Sequence, residues 1–191
     1  IMSRTKVKQN LIDASFGSIL EQVIYRADGR TITTSQGNIT VPTAVTQSTT
    51  SSHVLVSGSN IDYLPPAGTT GVLYEFTPQI SNLDANPLYH FKAQLDNSSG
   101  TLTDITNSRR SFYAPDLRDF RITLDTYIRV NGTEDVANEQ VGTWNTARTI
   151  QLTVRDYTNT YQGRVNMLFH WDGSAQQITN VPPLIKITAY S

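Results

Sequence analysis

The sequence predicts an all-β protein: an antiparallel jelly roll or β-sandwich preceded by a short β-rich N-terminal arm or stalk. Three observations carry this. The 191 residues include 26 Thr, 16 Ser and 13 Asn; Thr fits a pleated surface, while Ser and Asn favour turns. Apolar and polar residues alternate along most of the second half, the period of a strand with one buried face. Turn clusters recur between these runs at the spacing of a sandwich or jelly roll.

The start of the chain is ambiguous. Val7, Leu11, Ile12, Phe16, Ile19, Leu20 and Val23 fit one helical stripe, yet Gly17 interrupts it and residues 19–25 read equally well as a strand. We read a strand from Ser18. Asp28-Gly29 then signals a two-residue hairpin between residues 23–26 and 31–34. A second turn at 35–38 precedes residues 39–41, and a polar tract at 47–52 marks a shift of composition. The chain accordingly divides into an arm with a β-hairpin, 1–50, and a jelly-roll head, 51–191. An Ile before the first Met is what a segment of a longer chain would show.

The head carries the clearer pattern. Tyr89, Phe91, Ala93 and Leu95 alternate with polar residues, and so do Phe120, Ile122, Leu124, Thr126, Ile128 and Val130. The period returns at Ile150, Leu152 and Val154, at Val165, Met167, Phe169 and Trp171, and at Ile185, Ile187 and Ala189. Turn clusters stand between them at 64–68, 84–87, 96–100, 131–133 and 171–173.

Several function classes are disfavoured. A formal net charge of −1 gives no electrostatic footprint for nucleic acid or an anionic membrane. No apolar run reaches the roughly 20 residues of a membrane helix. Lys6 and Lys8 lead into Leu11-Ile12 and then Asp13, which is not a signal-peptide core. Without cysteine there is no disulfide framework and no thiolate site. No G-x-G, H-E-x-x-H or G-x-S-x-G motif occurs. His53, His90 and His170 lie far apart, and the 12 Asp read as turn formers before they read as a glycosidase pair or, at Asp84 and Asn86, as calcium ligands. The expectation is a non-enzyme with no cofactor and no metal.

Two features stand out. Arg outnumbers Lys 11 to 4, and Arg109, Arg110, Arg118, Arg121, Arg129, Arg148, Arg155 and Arg164 all follow residue 100. Arginine suits bidentate pairs with carboxylates, and interfaces; ordinary solvated strand faces explain the bias equally well. Tyrosines, among them Tyr127 and Tyr190, fall at strand ends or on polar positions of the alternation, as at a subunit interface or a recognition surface.

An ordered set of segments carries a resemblance. It opens with Gly17-Ser18-Ile19-Leu20-Glu21-Gln22-Val23 and continues with Gly58-Ser59-Asn60-Ile61-Asp62-Tyr63-Leu64-Pro65-Pro66-Ala67-Gly68. Thr143-Trp144-Asn145, Arg155-Asp156-Tyr157, Arg164-Val165-Asn166, Phe169-His170-Trp171-Asp172-Gly173 and Pro183-Leu184-Ile185-Lys186-Ile187 follow. Together they resemble structural proteins of large algal viruses and marine tailed phages. The resemblance implies a virion protein, a fibre or spike head built as a trimeric jelly roll of the tumour-necrosis-factor type, with no catalytic residue. Its expected partners are two further copies, other virion proteins, and a host-surface glycan or protein; nucleic acid and membrane insertion are not expected. Tyr127, Arg129 and Tyr190 are the candidate trimer contacts. Turn position nominates Asp84, Asn86, Asn97, Trp171 and Asp172 for receptor binding. The alternatives are a capsid decoration or minor capsid component docked on the viral lattice, and a carbohydrate-binding module.

Overall fold

A computed structural model describes residues 17–82, 87–113, 119–158, 163–173 and 175–191, with backbone alone at 171–172 and 175–176. In chain order the strands begin with β1 (Ile19–Arg26), β2 (Thr31–Thr34), β3 (Gly37–Thr40), β4 (Gln47–Ser48), β5 (Val54–Leu55) and β6 (Ile61–Tyr63). There follow β7 (Gly71–Thr77), β8 (Gln79–Asn82), β9 (Leu88–Asp96), β10 (Leu102–Asp104), β11 (Arg110–Tyr113), β12 (Asp119–Arg121) and β13 (Leu124–Val130). The remainder are β14 (Gln140–Val141), β15 (Arg148–Asp156), β16 (Gly163–Val165), β17 (Met167–Asp172), β18 (Ala175–Asn180) and β19 (Leu184–Tyr190). Helix among the described residues is confined to 3-10 turns at Thr106–Ser108 and Val136–Asn138.

The strand order is that of a jelly roll. The first sheet runs β1-β19-β7-β13, with short β14 parallel on its edge; the second runs from β10 and β11 through β9 and β15 to β5 and β6. Counting β5–β6 and β10–β11 as single bent strands gives eight segments. Segments one, eight, three and six form one sheet, and two, seven, four and five the other, the double Greek key. The inner faces meet in one core. Val72, Tyr74 and Phe76 of β7, Ile185 and Ile187 of β19, and Ile128 of β13 face Tyr89, Phe91 and Leu95 of β9 and Ile150 and Val154 of β15, all buried in a single cluster.

The strict alternation predicted at 89–95 holds residue by residue in β9. The eleven-residue run at 120–130 is instead two strands. β12 pairs with β8 in a third sheet, β12-β8-β16-β4, and β13 pairs with β7 in the first. Both strand pairs change sheet at the same level. Pro78 cannot donate to a ladder and separates β7 from β8, and Thr123 on the partner strand hydrogen-bonds Thr77 through their hydroxyls at 3.1 Å. The run at 165–171 is likewise broken, by Asn166 at φ 61° between β16 and β17. Its amide donates to Val45 and Ser57 carbonyls at 3.3 and 2.8 Å, which holds this fully buried side chain in place of a continuing strand.

The predicted hairpin at Asp28-Gly29 is also redirected. β1 pairs with β19, and β2 pairs with β3 through the Ser35-Gln36 turn. Arg30 clamps the Asp28 carboxylate, and Ala27 donates its N–H to the Pro183 carbonyl and accepts from Ala44 N–H, so the Asp-Gly corner leads the chain out of the sheet. The composition shift near residue 50 is not a break in packing, since Tyr25, Ala27, Val41 and Ala44 belong to the same buried cluster as Phe76. At the far end of the β1–β19 pair, the Ser191 backbone N–H donates to the Ser18 carbonyl at 2.9 Å.

One buried carboxylate ties the third sheet to the second. Asp156, 1% exposed at the end of β15, accepts from the backbone N–H groups of Leu88 at 3.1 Å, Tyr157 at 2.8 Å and Gly163 at 3.1 Å. The Thr49 hydroxyl approaches it at 3.0 Å.

Candidate functional site

The outer face of the second sheet carries a concentration of positive charge. Register places His90 of β9 beside Ser111 of β11 on one side and Arg155 of β15 on the other; one step on, Lys92 lies beside Thr153. These are the polar positions of the alternating strands, so their side chains share the outward face. Arg109 and Arg110 enter β11 at its edge, and His53, just before β5, meets Thr153 at 3.2 Å from Nδ1 to Oγ1. Together they line an open groove of about 360 Å³, near the small end of the roughly 300–1,000 Å³ range of ligand clefts.

The charges in the groove are unbalanced. Lys92 pairs with Asp104, which also accepts from Gln94 at 2.7 Å. Arg110 donates to the carbonyls of Asn107 and Arg109 at 2.8 and 3.0 Å. Among the described residues no carboxylate forms an ion pair with Arg109, Arg110 or Arg155. Partial burial holds the His53 imidazole below its ordinary range, and Lys92 and Arg155 push it the same way. His90 is lowered by burial and then by Arg155. Both rings are thereby biased toward the neutral form. Nδ1 of His90 lies 2.8 Å from the Ser111 hydroxyl, and its shielded Nε2 has no protein partner among the described residues.

Sequence reasoning registered the arginine excess but not this convergence. Its signal was partial: the Arg109-Arg110 doublet, and His90, Lys92 and Arg155 on polar positions of two alternating runs. That those runs are neighbours in register is a tertiary fact. Arg148, from the same excess, takes the other role foreseen for arginine. Its side chain, 5% exposed, bonds Glu134 at 2.7 and 3.2 Å, donates to the Asp96 and Thr143 carbonyls, and lies 6.0 Å from the Trp144 ring centroid.

The nominated residues fall in three groups. Tyr127 and Tyr190 do come together on the outer face of the first sheet, with ring centroids 6.3 Å apart. They meet across β7 because Gly71 lies between them; a Cβ there would sit 2.0 Å from the Tyr127 hydroxyl. Arg129 lies on the same face and is exposed. Asn97 spends its side-chain oxygen inside its own turn, accepting from Ser99 N–H, Ser99 Oγ and Thr101 N–H at 2.7–3.0 Å. Trp171 and Asp172 end β17 opposite Gln176 and Ala175 in a two-stranded hairpin; their side chains, and Asp84 and Asn86 entirely, lie outside the described residues. Among the described residues no three His, Asp or Glu side chains converge as metal ligands.

No protein-family model and no curated protein sequence matches the chain. Among solved structures, it is similar to the infectious bursal disease virus Gx strain, at 7% identity and a TM-score of 0.38, over 89% of this chain and 37% of that one. A mutant VP2 protein of the same virus, in derived particles, gives 10% identity and a TM-score of 0.38, over 91% of this chain and 37% of that one. The chain thus spans little more than a third of the length of these structures. Its assignment as a jelly roll rests on its own strand order.

Proposed function

We propose that the chain is a non-enzymatic virion structural protein, a homotrimeric fibre or spike head that presents loops for host-surface attachment. The observation that supports this reading best is the outer face of the first sheet. There the tilted rings of Tyr127 and Tyr190 meet across Gly71 beside exposed Arg129, and at the β1–β19 edge Ile24 and Leu184 are 56% and 38% exposed. Aromatic rings, arginine and exposed aliphatics on one face are the residue types that interfaces between subunits bury. The ordered resemblance of segments 17–190 to algal-virus and phage structural proteins supports the same reading. Three copies on one rigid head would give weak loop contacts avidity without any new contact.

Light scattering after size exclusion tests this. The expected mass is three times 21.2 kDa. The double variant Tyr127→Ala, Arg129→Ala is expected to shift the mass toward the monomer while the far-UV circular dichroism stays that of a β protein. A monomeric parent protein overturns the head assignment. A variant that remains trimeric overturns this face as the contact.

A further inference from the structure

We infer that the groove on the outer face of the second sheet binds the oxyanion groups of an anionic polysaccharide, through Arg109 and Arg155 with Arg110 and Lys92 beside them. Folding sets four permanent cations around one concavity whose described lining holds no carboxylate; Asp104, beside it, pairs with Lys92. Like charges brought together in this way repel, and an anion seated between them relieves that repulsion. The forked guanidinium matches sulfate and carboxylate oxygens bidentately. The shielded, unpartnered Nε2 of His90 supplies a further polar atom beside the cations.

The same groove is poorly made for nucleic acid. Its one phenyl ring, Phe91, is 1% exposed and offers no stacking platform for a base. A short anionic stretch of sugar, held by local charge and hydrogen bonds, needs no such platform. This inference stands on the groove and does not require the trimer: a monomer in solution overturns the proposed head and leaves the groove to be tested.

Binding of the purified full chain to dextran sulfate, hyaluronan and uncharged dextran would test it, with single-stranded DNA of matched charge as competitor. The parent is expected to bind dextran sulfate, hyaluronan or both, and not dextran, and to weaken steeply as salt rises from about 50 to about 200 mM. Stronger binding to dextran sulfate identifies sulfate esters as the ligand group, and stronger binding to hyaluronan identifies carboxylates. The double variant Arg109→Ala, Arg155→Ala should bind about tenfold or more weakly. Arg30→Ala, which removes the same charge from an exposed site elsewhere, should bind as the parent does. Arg109→Glu alone, at an exposed position, serves if the double variant folds poorly, and should lose binding outright. The inference is overturned if the parent binds neither polyanion, if all variants bind alike, or if DNA competes as well as dextran sulfate per charge.

Discussion

Replacing Asp156 with Ala is expected to lower the unfolding free energy by about 3–5 kcal/mol, the cost of removing a buried acceptor that several donors share. The carboxylate accepts from the backbone N–H groups of Leu88, Tyr157 and Gly163; the Thr49 hydroxyl shares Gly163, and the Leu88 carbonyl shares Tyr157. Alanine would leave the Leu88 N–H without its acceptor, and Tyr157 and Gly163 with one acceptor each, while opening a gap at the joint between the second and third sheets. Asp156→Asn keeps one acceptor oxygen but turns an NH₂ toward donors, so it should fall between the two, near about 2 kcal/mol. Urea denaturation of the three proteins decides this. An alanine variant within about 1 kcal/mol of the parent would mean that the joint repacks or admits water.

Arg148→Ala is the second large effect, expected at about 2–3 kcal/mol, or a melting temperature lower by roughly 5–10 °C for a chain of this length. The variant strands the carbonyls of Asp96 and Thr143, removes the cover over Trp144, and leaves Glu134 without its guanidinium. The effect should depend on pH. Arg148, through its hydrogen bonds, holds the Glu134 carboxyl below the usual range, helped by the backbone N–H groups of Gly142 and Ser98. A carboxylate with a lowered folded value stabilises above its unfolded value, about 4.3, and that contribution is lost as pH falls through the folded one. The difference between parent and variant should therefore narrow below about pH 4. A gap that is constant from pH 7 to pH 3 would assign the whole effect to the carbonyls and Trp144.

The sequence carried those elements whose neighbours do not matter to their pattern. β9 is legible because both its partners leave one face dry, so Tyr89, Phe91, Ala93 and Leu95 alternate cleanly with His90, Lys92 and Gln94. β15 and β19 were found for the same reason, at Ile150–Val154 and Ile185–Ala189. What was not legible depends on contacts distant along the chain. Nothing local says that β1 pairs with a strand some 160 residues later, so Asp28-Gly29 read as a hairpin. The run at 120–130 keeps its period through Ile122-Thr123 because β12 and β13 both bury the same parity of residue, although in different sheets. Asn166 gives no local warning that it will adopt a left-handed conformation, since the carbonyls that hold it come from Val45 and Ser57. The cationic groove was hidden in the same way: each of its residues looked like the wet side of an ordinary strand. Tyr127 and Tyr190 stood out because they break the polar parity of their runs, but that their rings meet depends on Gly71 of a third strand.

The hydrogen bond between Ser18 and Ser191 has a consequence for connectivity. These residues are 173 apart in sequence and joined in space by backbone and side-chain bonds. A circular permutant that links them directly and opens at the exposed turn of Ser99 and Gly100 should reach the same fold. In the parent, β1 must find β19 by closing nearly the whole chain into one loop; in the permutant that search becomes local. The permutant is therefore expected to refold faster in stopped-flow mixing, as lower contact order favours. Equal rates would place the β1–β19 pairing after the folding barrier, as the last seam of the sheet to close.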